Sequence, residues 1–253
     1  MIDFTKECLT LLYWCKAFFV NREIFHTAYF YTNGQMISIA SHKNAREAVF
    51  MLCIGILGEN LKEQTMEQII YFVKQYADNY VCFCGTKKEK EFEQAYQNAQ
   101  NTENSLFLVP IYAKTIKYCK SRNLSFSIFL YLGNTKNDEN TKEDIAYLSK
   151  HTILVVNTDD RRVFPLKLKT GNKLITCGLN HRASVTLSSY LEPMAYEKGK
   201  IQCCIQREIP TVSGNIFEPQ EFSLLLEQGQ KSVSGALAAI TALIAADVEF
   251  GDI

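Results

Sequence analysis

Two strand-to-loop junctions carry the side chains of this sequence best suited to chemistry. In ILVVNTDD, residues 153–160, four apolar residues run into Asn157, Thr158, Asp159 and Asp160. In FSIFLYLGNTKND, residues 126–138, a longer apolar run ends at Gly133 and Asn134 and reaches Asp138. Groups that follow a buried parallel strand stand at the carboxyl edge of the sheet, where open α/β sheets bind ligands. Oxygen donors there can hold a hydrated Mg²⁺ or a ribose hydroxyl. A second reading needs no ligand, because Asn and Asp also cap helices and close Asx turns. The candidate cofactor-binding set is therefore Asn134, Asp138, Asn157, Asp159 and Asp160. No residue is assigned as catalytic or as a metal ligand.

The other reactive residue types are scattered. Nine cysteines, Cys8, Cys15, Cys53, Cys82, Cys84, Cys119, Cys177, Cys203 and Cys204, form no CxxC pair. An adjacent pair and a CxC make poor tetrahedral metal clamps without a matching half. In a strand, Cys203 and Cys204 point to opposite faces, which is a packing pattern. Thiol chemistry at Cys203-Cys204 or Cys82/Cys84 finds no neighbouring base or basic cluster to support it. His26, His42, His151 and His181 lie far apart, with no HExxH or HxH arrangement.

Composition narrows the class. Net charge is zero over 253 residues, so nothing favours nucleic acid or an anionic membrane as partner. No apolar run reaches the roughly 18 residues of a membrane span. The N-terminal MIDFTKECLTLLYWCKAFFV is interrupted by Asp3, Lys6, Glu7 and Lys16. It lacks a basic leader and a cleavage site, and reads as an amphipathic helix. Reduced thiols without a secretion signal imply a cytoplasmic protein.

These residues must be positioned by an α/β scaffold. HTAYFYTNGQMISIA, residues 26–40, alternates around Asn33-Gly34 and predicts a hairpin. A helix is expected from Ser41 through Ala45, Ala48, Val49, Leu52 and Leu57, ending at Gly58. A second helix follows at about 62–77. Buried strands are expected at 80–84, 126–133 and 153–156, with helices at 88–101, 106–121 and 142–149. Apolar strands alternating with helices imply a mostly parallel sheet covered on both faces. After residue 173, KLITCG, ASVTLSSYLEP, KIQCCIQR and FSLLLE predict a smaller antiparallel β layer, closed by the helix SGALAAITALIAADV. Residues 1–253 are expected to form one domain, 1–172 the α/β sheet and 173–253 the antiparallel layer and helix.

The order of these pieces resembles the central domain of the Mur ligase family: the muramyl-peptide ligases, folylpolyglutamate synthase and the ligase part of cyanophycin synthetase. The family's strand–N-A-D-D run is similar to Val156-Asn157-Thr158-Asp159-Asp160. Its G-x-H-N-x-x-N-A-L-A-A run is similar to Gly229-Gln-Lys231-Ser232-Val-Ser-Gly235-Ala-Leu-Ala-Ala239. Its T-N-I-x-x-D-H-L loop looks like Asn134-Thr-Lys-Asn-Asp138-Glu139-Asn140. The resemblance covers about 126–250, with TNGQMIS a further match near the start.

The resemblance implies an ATP- and Mg²⁺-dependent ligase that activates a carboxylate as an acyl phosphate. The departures imply otherwise. No GxxxxGK[ST] or GTNGKT occurs, although such a loop is what cradles phosphates. The nearest relic is Cys84-Gly85-Thr86-Lys87-Lys88, unless the sequence begins just after the lost loop. Glu139 stands at the family's metal-binding histidine, and Lys231, Ser232 and Gly235 at its H-N…N positions. The sequence ends where the family's C-terminal ligase domain would begin. The expectation is a degenerate, non-catalytic relative that acts as a binding or regulatory module through a protein partner or small ligand. It would need no cofactor, with ATP and Mg²⁺ the residual candidates. The alternative is a subunit of an ATP-dependent acid–amino acid ligase that retains Mg-nucleotide binding.

Overall fold

The computed structural model describes residues 27–32, 35–40, 51–59, 61–133, 151–159, 172–192, 197–226 and 232–250. The chain divides into two units, Met1–Ala48 and Val49–Ile253. In the first, β1 (Thr27–Thr32) and β2 (Gln35–Ala40) pair antiparallel, and Thr32 faces Gln35 across the connection. This is the hairpin that Asn33-Gly34 predicts. The expected N-terminal amphipathic helix lies outside the described residues.

The second unit is built on one sheet of nine strands among the described residues, in the order β13-β10-β9-β8-β7-β6-β3-β5-β4. The strands are β3 (Met51–Leu57), β4 (Val81–Cys84), β5 (Ser105–Pro110), β6 (Ile128–Tyr131), β7 (Ile153–Asn157), β8 (Lys173–Cys177), β9 (Val185–Leu191), β10 (Gly199–Ile205) and β13 (Glu221–Leu226). From β4 to β9 every neighbouring pair is parallel. The β9–β10 and β10–β13 pairs are antiparallel. A separate antiparallel pair joins β11 (Ile209–Pro210) to β12 (Ile216–Phe217). The predicted class, a mostly parallel sheet flanked by helices with a small antiparallel addition, is what forms. Strands β9, β10 and β13 extend the main sheet instead of standing as a layer of their own, because β9 pairs with β8 at Cys177 and Val185.

Side-chain alternation separates two cores. Leu52, Ile54, Ile56, Leu106, Leu108, Ile128, Leu130, Ile153 and Val155 face α1 (Lys62–Tyr76) and α4 (Val233–Ala245). Cys53, Phe107, Val109, Phe129, Tyr131, Leu154 and Val156 face α2 (Glu89–Gln100) and α3 (Ala113–Ser121). The strands are thus apolar on both faces, as a covered parallel sheet requires. Helix α4 is apolar all round and almost wholly buried, the pattern of a core helix. Ser232 caps it, accepting from the Gly235 amide at 3.0 Å.

Two expected helices are strands. Residues 51–57, MLCIGIL, form the interior strand β3, and residues 105–110 form β5 before α3 begins at Ala113. A short apolar run buried on both faces has no helical or two-residue period that would distinguish it. The lengths, seven and six residues, with Gly58 just after β3 and Pro110 ending β5, are strand signals. The part of the expected helix before Met51 and the short helix at 142–149 lie outside the described residues.

Candidate functional site

The sheet's connections locate its crevice. After β3 the chain crosses one face as α1, and after the adjacent parallel strand β5 it crosses the other face as α3. Adjacent strands whose connections leave to opposite faces open a crevice at their carboxyl ends, where such sheets bind ligands. Four side chains meet at this one, Lys62 buried, Tyr112 half-buried, and Glu63 and Lys87 exposed. Lys62, the first residue of α1, is only 5% exposed. Its Nζ donates to the Ile111 carbonyl at 3.1 Å and sits 3.5 Å from the centroid of the Tyr112 ring. Lys87, in the loop after β4, brings its Nζ to 3.8 Å from the same centroid. The Tyr112 hydroxyl donates to Glu63 Oε1 at 2.5 Å.

The electrostatics follow from these contacts. Burial holds the Lys62 ammonium below the usual lysine range, with Glu63 and Glu59 acting against that and Lys87 adding to it. Burial, then the Glu63 carboxylate, pushes the Tyr112 phenol well up. Burial would raise the Glu63 carboxyl, but the Tyr112 hydroxyl and the two lysines bring it below its ordinary value. A desolvated ammonium over an aromatic face contributes about 2 kcal/mol. The ring does not drift, because its backbone is the N-cap of α3. The Tyr112 amide donates to Thr115 Oγ1 at 2.9 Å, and that hydroxyl donates to the Pro110 carbonyl at 2.7 Å.

A second cluster lies at the ends of β7 and β8. Asn157, 1% exposed, accepts from the Asp159 amide at 2.9 Å and closes an Asx turn. Asp159 Oδ1 accepts from the Leu179 amide at 2.6 Å, and Oδ2 accepts from Ser234 Oγ at 2.5 Å. The carboxylate therefore ties β7 to the turn after β8 and to the first turn of α4. Gly178 permits this: its φ is +143°, and a Cβ there would stand 2.5 Å from Asp159 Oδ1. Nearby on α1, Thr65 is fully buried, and its Oγ1 has no hydrogen-bond partner among the described residues. A Cβ on Gly235 would lie 3.4 Å from that oxygen.

Of the five residues singled out by sequence, the structure brings Asn157 and Asp159 together; Asn134, Asp138 and Asp160 lie outside the described residues, as do Glu139 and Lys231. The Cys84–Lys88 loop follows β4, which is the edge strand of the sheet. Thr86 Oγ1 there accepts from the Lys88 amide at 3.2 Å, and Lys88 pairs with Glu91 at 2.8 Å. Lys62, Tyr112 and Ser234 escaped the sequence reading, the first two because β3 and β5 read as helices. An apolar run stopped by Gly58 just before a helix was the available signal. The adjacent cysteines behave as predicted, with Cys203 buried inward and Cys204 half-buried on the other face. Among the described residues no three His, Cys, Asp or Glu side chains gather to hold a metal ion, and no helix is long and apolar enough to cross a membrane.

Neither described anchor fits a Mg-nucleotide as it stands: each Asp159 oxygen already accepts a short hydrogen bond, and Lys62 is turned onto a carbonyl and a ring.

The fold is that of the Mur ligases. A UDP-N-acetylmuramoyl-L-alanyl-D-glutamate–2,6-diaminopimelate ligase superimposes with a TM-score of 0.54 at 14% identity over 79% of this chain and 44% of its own. The MurF ligase of Thermotoga maritima in complex with ADP gives 0.51 at 13% identity over 79% of this chain and 46% of its own. The chain thus spans less than half the length of these enzymes. No protein-family model matches the sequence, and no curated protein matches it.

Proposed function

We propose that this chain is a non-catalytic member of the Mur-ligase-like fold, a binding or regulatory module that acts through a protein partner or a small ligand. One observation carries the reading. The strand–loop–helix from β3 to α1 lies on an interior strand of the parallel sheet and is the segment most similar to the family's phosphate loop. Its sequence is Gly58-Glu59-Asn60-Leu61-Lys62-Glu63. Beside GTNGKT it keeps the first glycine, the asparagine and the lysine. It carries Leu61 for the second glycine and Glu63 for the hydroxyl residue. A leucine side chain impedes the close backbone approach that cradles a phosphate, and a hydroxyl on Mg²⁺ is replaced by a carboxylate at the phosphate's place. Lys62 contacts the chain's own carbonyl and ring. Without phosphate cradle or clamp, phosphoryl transfer loses most of its transition-state stabilisation.

This relocates the relic: the β3–α1 loop, on an interior strand, is a better match than Cys84–Lys88 on the edge. The test is turnover. Purified protein supplied with MgATP and amino-acid or peptide acceptors is expected to release no phosphate above background. Acceptor-dependent release would overturn the reading.

The second reading, a ligase subunit with residual Mg-nucleotide binding by Asn134, Asp138, Asn157, Asp159 and Asp160, is favoured by Thr65. A fully buried hydroxyl without a partner among the described residues costs about 1–3 kcal/mol unless something bonds it. It predicts MgATP binding that is lost in Asp138→Ala or Asp160→Ala.

A further inference from the structure

We infer that the crevice between β3 and β5 is plugged by the chain's own Tyr112, which keeps polyphosphate anions off the two lysines converging on its ring. The inference rests on the non-catalytic reading and deepens it by naming the residues that close the site. Three observations carry it. The ring follows β5, whose connection leaves to the face opposite that of the adjacent β3, so it stands at a crevice where a ligand would otherwise sit. Both ammonium groups, Lys62 Nζ at 3.5 Å and Lys87 Nζ at 3.8 Å, approach the same ring centroid, close enough together for one di- or triphosphate to bridge them. The charge is already balanced: Glu63 takes the Tyr112 hydroxyl, and Glu59 and Glu63 both act on Lys62.

The plug is held from behind. Tyr112 is the N-cap of α3, with Thr115 bonded to both the Tyr112 amide and the Pro110 carbonyl. An incoming anion must therefore displace a ring fixed at its backbone and face two carboxylates at the start of α1. Removing the ring leaves two lysines and the positive end of a 15-residue helix at an open crevice, which favours an anion.

The experiment titrates inorganic tripolyphosphate by calorimetry into the full chain and into Tyr112→Ala, with circular-dichroism melts to verify folding. Tyr112→Val replaces the alanine variant if that one does not fold, since it keeps part of the apolar contact while vacating the space of the ring. The expected result is at least a tenfold gain in affinity over the wild type, abolished when Lys62→Met is added. Equal affinities in wild type and variant, whether both bind or neither does, would overturn the plug, as would a gain that survives Lys62→Met. These outcomes are separate from the parent reading, which fails only if the wild type turns over ATP.

Discussion

Ser234 on the first turn of α4 donates its hydroxyl to Asp159 Oδ2 at 2.5 Å, across 75 residues of sequence. With the Leu179 amide on the other oxygen at 2.6 Å, the acid at the end of β7 works as a clamp between the sheet and the last helix.

The clamp has a measurable weight. Asp159→Ala leaves a backbone amide and a hydroxyl without their acceptor and is expected to lower stability by about 1–3 kcal/mol. Ser234→Ala removes one of the two bonds and should cost less. Urea unfolding of both variants and the double variant checks this, with the double costing less than the sum because the residues share one bond.

Gly178→Ala attacks the same clamp from the backbone. A Cβ would meet Asp159 Oδ1 at 2.5 Å on a residue with φ of +143°, and such strain costs about 1–3 kcal/mol. In an Asp159→Ala background the steric part disappears while the backbone part stays. The expected outcome is a smaller cost in that background, read from urea midpoints.

The Tyr112–Glu63 bond predicts a titration. The Glu63 carboxyl sits below its ordinary value of 4.5, so its contribution to stability is present at higher pH and lost as pH falls through the folded value. In Tyr112→Phe the hydroxyl is gone while the ring stays. Glu63 is then expected to titrate higher, which side-chain carboxyl NMR measures.

Alkaline pH acts through the thiols. Burial pushes Cys82, Cys119, Cys177 and Cys203 up to about 12 from an ordinary 9.0, and Cys53 well above it. A raised folded value means stability is intact below 9.0 and falls as pH rises from there towards the folded value. Each such thiol contributes a slope of up to about 1.4 kcal/mol per pH unit. Melting temperatures should be level near neutrality and fall above this point. Thiol-specific labelling at neutral pH, located by mass spectrometry, is expected to be slow at all five. Rapid modification of Cys82 at neutral pH would contradict the burial account.

The sequence carried much of this through local signals. Asn33-Gly34, the run ILVV and the Ala-rich segment from Val233 each declare their element through turn chemistry, apolarity or propensity. Where β3 and β5 were misread, tertiary burial decided: Leu52, Ile54 and Ile56 face one core, and Cys53 and Leu57 the other, so no period survives to be read. That error hid the crevice, because Lys62 becomes an edge residue only when Met51–Leu57 is a strand. Asn157 and Asp159 were legible as strand-end groups. Their engagement by Leu179 and Ser234 was not, since it depends on how β8 and α4 pack.

The most direct test of a carboxyl edge held by the chain's own groups is a calorimetric titration of MgATP into the purified protein, repeated with Asp160→Ala. The expected result is no saturable heat at millimolar nucleotide and no rise in melting temperature of the kind a ligand of the folded state produces. Saturable binding that disappears in Asp160→Ala would contradict it and turn attention to a partner subunit and an acceptor.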